Sequence, residues 1–267
     1  MLDKVEGIIG RLREEEERKP SLASALVLHR ELIVARAQLK PPKIQTGLGE
    51  EEAKQLLRQG LPLLQGDKLE MDGLLELCER ICKIAAQHRP DLADQFAQIS
   101  DSLLSPELTT IAEGYLQGSP VESDRFSGLL TFVLNNALHP FLEKYAQAVK
   151  GFVDESAWYR GYCPVCGGQP DFAYLTLESG SRRLLCSRCD TEWAYPRLGC
   201  PFCENKDPKS LGYYPSEDNI YRLYVCDQCG HYLKTIDLRE IGKKPTLSLE
   251  RILTMEMDLA ARQMGYR

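Results

Sequence analysis

Residues 181–205 read SRRLLCSRCDTEWAYPRLGCPFCEN. Two Cys-x2-Cys pairs, Cys186/Cys189 and Cys200/Cys203, stand here, and each has a counterpart further out: Cys163/Cys166 upstream and Cys226/Cys229 downstream. The gaps between successive pairs are 19, 10 and 22 residues. Long, short, long divides the run into two tandem units of pair, hairpin, pair. Two cysteines three apart wrap both sulfurs around one ion in a tight knuckle, and the intervening ribbon returns the chain so that a second knuckle completes a tetrahedron. Gly167 and Gly230 follow knuckles, where a positive φ is needed. The predicted ligand sets are therefore Cys163, Cys166, Cys186 and Cys189 in one module and Cys200, Cys203, Cys226 and Cys229 in the other. Each closed set of four thiolates accepts iron or zinc equally well and leaves no position for a substrate. That favours structure or electron storage over hydrolysis.

Other uses of paired cysteines fit less well. A thiol-disulfide oxidoreductase needs one pair at the start of a helix, where the dipole lowers a thiol pKa. A disulfide framework belongs to secreted chains, and MLDKVEGIIGRLREEEERK at the N-terminus carries acids where a secretory signal has a basic start and an apolar core. No apolar run approaches the length of a membrane span, so the expectation is a cytoplasmic protein without membrane insertion. A net charge of −6 gives no general field for phosphates. From Ser156 to Glu240 there are 10 Lys/Arg against 11 Asp/Glu. Nucleic acid is not an expected partner, although a zinc-ribbon nucleic-acid-binding regulator uses the same knuckles.

Cysteine usage also sets the domain division. Residues 1–155 hold only Cys78 and Cys82 and read as an α-helical bundle. Met71, Leu74, Leu75, Cys78, Cys82 and Ala85 recur on one helical face, Leu92, Phe96, Ile99 and Leu103 on another. Ser105-Pro106 offers a helix start, with a stop at Gly118. From Asp124, Phe126, Leu130, Val133, Ala137, Phe141 and Tyr145 continue the pattern through Pro140, which is expected to kink or break the helix. Residues 156–240 carry the two modules, 156–197 and 198–240, with short β-prone pieces between knuckles. Residues 241–267 form a linker and a closing amphipathic helix marked by Leu249, Ile252, Leu253 and Ala260. The expected fold class is α+β multidomain: a helical bundle, two tandem rubredoxin-like or zinc-ribbon modules, and a C-terminal helix.

Among the other residues, Cys78 and Cys82 read as core, Glu14 to Glu17 as a solvated face, and His231 as a neighbour of a knuckle rather than a ligand. Trp158, Tyr159, Tyr162, Trp193 and Tyr195 crowd the first module, as cover for a small core or as a contact surface. Arginines at 160, 182, 183, 188 and 197 are placed to line a groove for an acidic ligand. Arg160, Arg188, Trp193 and Arg197 are the candidate partner-binding residues. No nucleophile–base–orienter set can be picked out around the four histidines, so the chain is not expected to be an enzyme.

RGYCPVCGGQP at Arg160 to Pro170, the stretch quoted at the outset, CDQCGHYLKT at Cys226 to Thr235 and the closing LTMEMDLAARQMGY together resemble the formate dehydrogenase accessory proteins of the FdhE family. The resemblance covers about 110 residues of the C-terminal part, and the N-terminal half shares only helical character. It implies a cytoplasmic assembly factor with two rubredoxin-like iron sites on the eight cysteines. Its partner would be the catalytic subunit of an exported respiratory formate dehydrogenase, contacted before translocation. A homodimer is allowed.

Overall fold

The structure, a computed structural model, describes residues 2–40, 44, 46–65, 69, 71–103, 108–117 and 127–267. These form two compact units, residues 1–47 with 65–148 and residues 48–64 with 149–267. Among the described residues there are ten α-helices and one sheet of six strands. None of the helices is long and apolar enough to cross a membrane.

The first unit is helical. α1 (Leu2–Arg18) packs on α2 (Ala23–Ala37), which packs on α4 (Leu74–His88), and α4 lies against α5 (Ala93–Leu103). α4 buries Leu74, Leu77, Cys78, Ile81, Cys82 and Ala85 at spacings of three and four, one helical stripe. Leu75, expected on that stripe, is exposed because it stands one residue past Leu74 and points off the face. Phe96, Ile99 and Leu103 form the buried side of α5 after a 3-10 turn at Pro90–Leu92. α6 (Leu108–Leu116) and α7 (Ser127–Val149) are tied by the Tyr115 hydroxyl donating to Asn135 at 2.5 Å. The helix start at Ser105-Pro106, the stop at Gly118 and the Asp124–Phe126 segment lie outside the described residues.

Two expectations for this unit are corrected. Of the kink or break expected at Pro140, the break does not occur, since α7 runs on to Val149. A mid-helix proline costs about 3 kcal/mol, whereas Val133, Leu134, Ala137, Leu138, Phe141 and Leu142 are buried on both sides of it, each large side chain contributing roughly 1.5–3 kcal/mol. Nor are Glu14 to Glu17 a uniformly solvated face. Glu15 is buried between Arg11 at 3.0 Å and Arg18 at 2.7 Å, and Glu16 pairs with Arg30 at 2.7 Å. Burial of a carboxylate is tolerated where guanidinium partners meet it.

The second unit is built on the sheet β3-β2-β1-β6-β5-β4. β1 (Pro170–Leu175), β2 (Arg182–Cys186) and β3 (Glu192–Ala194) form an antiparallel meander, as do β4 (Leu211–Pro215), β5 (Tyr221–Cys226) and β6 (His231–Asp237). β1 pairs with β6 in parallel, so the two modules share one sheet. Gly161 lies against Pro201, whose carbonyl oxygen would stand 1.7 Å from any Cβ there. Phe172, Tyr174, Leu185, Ile236, Leu238 and Leu247 form the core on one side. After the short α8 (Leu238–Ile241), the closing segment folds as two helices, α9 (Leu247–Leu253) and α10 (Met255–Gln263), divided at Thr254. Thr254 turns its hydroxyl back to the Glu250 carbonyl at 2.8 Å, a bond that bends helices. The bend shifts the buried position from the expected Ala260 to Ala261.

Burial pushes the Cys78 thiol up to about 12 and Cys82 up to about 11. A thiol whose pKa is raised stays protonated and unreactive below that pH. In the folded protein at pH 8, both should therefore alkylate with iodoacetamide at least roughly a hundredfold more slowly than a free thiol. Peptide mapping checks this, and native-state labelling at the free-thiol rate would contradict the core assignment.

Candidate metal centres

Three of the four knuckles are closed by a backbone hydrogen bond to the carbonyl of their first cysteine. The N–H of Gly167 donates to the Cys163 carbonyl at 3.0 Å, that of Glu204 to Cys200 at 2.9 Å, and that of Gly230 to Cys226 at 2.8 Å. A turn this tight puts the residue after the second cysteine in the left-handed region: φ is 71° at Gly167, 56° at Asp190, 59° at Glu204 and 70° at Gly230. Glycine takes that conformation without a steric cost, and aspartate is among the side chains that tolerate it best. Glu204 takes it although glutamate is not among those. Within the first module the Val165 and Arg188 N–H groups point at the Cys163 and Cys186 sulfurs, both at 3.4 Å.

The two predicted sets of cysteines come together. Within each set the four Sγ atoms lie inside 4.8 Å of one another. Cys163–Cys189 is 3.6 Å, Cys166–Cys186 and Cys166–Cys189 are 3.4 Å, and Cys200–Cys229 and Cys203–Cys226 are 3.7 Å. A disulfide needs about 2.05 Å. A tetrahedron of metal–sulfur bonds of about 2.3 Å has edges about 1.63 times as long, or about 3.8 Å. The sulfur spacing fits a four-thiolate ion, and each set could hold one.

Electrostatics favours the same reading. Burial pushes the Cys163 and Cys189 thiols up and the hydrogen bond with Cys163 pushes Cys166 up, whereas Cys186, against the pull of burial, is held down by the sulfur hydrogen bonds it receives from the other three. Four thiolates packed this closely require a cation among them, and binding one expels their protons. The environments of the two sets differ. All four cysteines of the first are buried, whereas Cys203 and Cys229 of the second are half-buried.

Parts of the chain far from the knuckles brace them. Leu63 and Leu64 N–H groups donate to the Pro164 and Val165 carbonyls at 2.9 and 2.8 Å, carrying α3 (Glu50–Gln59) and the turn after it onto the first knuckle. The Tyr162 hydroxyl donates to the Gly60 carbonyl at 2.7 Å. From α9, Arg251 pairs with Asp190 at 2.9 Å and Asp171 at 3.0 Å and donates to the Cys186 carbonyl at 2.8 Å. At the second site Asn205 Nδ2 lies 3.6 Å from Cys226 Sγ, Tyr266 donates to Asp227 at 2.6 Å, and the Arg267 N–H to the Gly230 carbonyl at 2.7 Å. Apart from Tyr162, already among the aromatics expected around the first module, sequence reasoning missed these. Only Arg251, a charge beside the apolar stripe of α9, left a visible signal.

The remaining candidates sort by burial. Trp158 and Trp193 are fully buried, their indole N–H groups donating to the Tyr162 and Arg160 carbonyls, both at 2.9 Å. Trp193 is thus cover beneath the surface. Arg160, over the Trp158 ring, Arg188 and Arg197 are half-buried, and Tyr159 is exposed. His231 stacks on Phe202 with centroids 4.7 Å apart and belongs to neither sulfur set.

Comparison with known proteins points one way. The sequence model of the FdhE central domain matches residues 162–197, the first module. An FdhE homolog from Aquifex aeolicus is 28% identical over 227 residues, covering 84% of this chain and 77% of the relative. Protein FdhE of Escherichia coli is 25% identical, covering 96% and 82%. In fold, the chain is similar to the crystal structure of the FdhE protein from Pseudomonas aeruginosa, with a TM-score of 0.62 at 21% identity over 98% of this chain and 90% of that one.

Two outcomes follow from the asymmetry and the bracing. Excess EDTA should strip the half-buried second site first, giving two phases whose faster one disappears in a Cys203→Ser/Cys229→Ser variant. Release in the opposite order would contradict the burial argument. Arg251→Met keeps the side-chain length but removes its charge, and should speed metal loss from the first site by roughly tenfold or more, leaving the second unchanged.

Proposed function

We propose that the chain, similar to FdhE proteins over most of its length and matching the FdhE central-domain model at residues 162–197, is a member of that family and a cytoplasmic accessory factor for the maturation of respiratory formate dehydrogenase. It acts by contact with the catalytic subunit rather than by catalysis. The observation that carries this reading is closure: each set of four sulfurs lies inside 4.8 Å and is spent on the ion itself. Such an ion offers no coordination position to a substrate.

Cys163, Cys166, Cys186 and Cys189 hold one ion, iron or zinc, and Cys200, Cys203, Cys226 and Cys229 the other. When bound, either metal supplies a cross-link, and iron supplies in addition a one-electron centre whose potential the N–H groups directed at sulfur tune. The chain's own work is to hold these knuckles rigid and to present the surface around them. Arg160, Arg188 and Arg197 are the side chains assigned to the contact, over the Trp193 core. Arginine is enriched among residues that dominate binding energy.

Deleting the gene from its host tests the assignment. Respiratory formate oxidation should be lost while growth on other electron donors continues, and the wild-type gene should restore it, whereas a Cys163→Ser/Cys166→Ser copy should not. Protein purified without oxygen should carry about two equivalents of iron plus zinc. Formate oxidation at the wild-type level in a deletion strain with no second copy would overturn the proposal.

A further inference from the structure

A cavity of about 710 Å³ lies in the second unit beside the second sulfur set. Its walls come from the β1–β2 turn at Ser179 to Arg182, the connector between modules from Arg197 to Phe202, and parts of β4, β5 and β6. The chain has 39 acidic residues against 33 basic ones. Yet the cavity's described lining contains no aspartate or glutamate, while Arg182, Arg197 and Lys206 all line it.

Arg182 is the unusual member. It is only 3% exposed. Its Nη2 donates to the carbonyls of Pro196, Arg197 and Gly199, and its guanidinium lies over the Tyr195 and Tyr224 rings at 5.7 and 5.4 Å. Its Nε is buried without a hydrogen-bond partner. A buried cation surrounded by carbonyls and rings, with no carboxylate against it, adds a positive field to the cavity, which the Cys200 and Cys226 sulfurs in the same lining offset only in part. Arg197 adds to that field, its Nε donating to the Tyr224 hydroxyl at 3.3 Å.

The rim is apolar. Leu198 is 82% exposed and Tyr213 49%, and both line the cavity. A small anion would satisfy the arginines but leave Leu198 and Tyr213 in water. A peptide segment satisfies both, with a carboxylate inside and an apolar side chain across the rim. We propose that this cavity is a docking site for an acidic peptide segment carrying an apolar residue next to its carboxylate. The inference rests on the assembly-factor reading, in that the segment belongs to the formate dehydrogenase catalytic subunit. It adds the place and the chemistry of the contact.

The test uses the full-length, metal-loaded chain and the purified catalytic subunit from the same host. Arg197→Glu with Lys206→Glu reverses two accessible charges without touching Arg182, whose bonds support the connector. Leu198→Asp changes the rim at an exposed position, and Arg13→Glu, an exposed residue of the first unit, is the control. Affinity for the subunit should fall at least about tenfold in the charge-reversed and rim variants, with metal content unchanged and the control within about twofold. A photo-crosslinker at Leu198 should map to an acidic, apolar segment of the subunit. Wild-type affinity in the variants, or a crosslink to a neutral or basic segment, overturns the docking site while leaving the assembly reading intact. Displacement of the crosslink by millimolar inorganic phosphate, with subunit affinity unaffected, assigns the cavity to a free anion and overturns it too. If the wild-type chain does not bind the subunit at all, both proposals fall.

Discussion

Four sulfurs held within 4.8 Å of one another are the constraint on which the second unit depends. Its strands are three to seven residues long, an ordinary range, but the loops that join them are long and cysteine-rich. An ion bound at a four-cysteine site would pin those loops, since such binding is worth on the order of 10 kcal/mol and is gained only in the folded state. Two of the four knuckles, Cys186/Cys189 and Cys226/Cys229, end one strand and lead into the next, so fixing their sulfurs also fixes the strand register. The Leu211↔Cys226 and Cys226↔His231 pairs of the second meander run directly into a ligand.

The supports around the knuckles come from opposite ends of the sequence. Residues 60–64 reach the Cys163/Cys166 knuckle from before it, while α9 reaches the Cys186/Cys189 knuckle and Tyr266 and Arg267 reach the Cys226/Cys229 knuckle from after them. Lys234, buried on β6, joins these arms by donating to Asp258 of α10 at 2.7 Å and to the Arg251 carbonyl of α9 at 2.8 Å. Burial alone would pull its ammonium down, and the Asp258 carboxylate opposes that. The sites are therefore assembled non-locally, although their ligands are local pairs.

What could be read directly from the sequence was whatever depended on local spacing. The eight cysteines, the left-handed glycines at 167 and 230 and the stripe around Cys78 and Cys82 all follow from short-range periodicity. The features that escaped depend on tertiary partners. Glu16 is half-buried because Arg30 of the next helix meets it. Pro140 sits inside a helix because packing outweighs its missing hydrogen bond. The parallel β1–β6 pairing leaves no mark on either strand, since the two modules could equally have folded as separate ribbons.

That pairing has its own consequence. Across the sheet the third, second and first strands of one module are followed by the third, second and first strands of the other, with the junction strands parallel. The modules are thus related by a shift rather than by a two-fold axis, and a shift never closes on itself. A chain with more copies of the module could extend the same ribbon indefinitely. What ends the row here are its margins: β3 has three residues, and β4 carries Gly212 and the donor-less Pro215. Short or proline-bearing margins are how sheets refuse further strands. The number of metal centres in such an array is set at its edges, not at the metals.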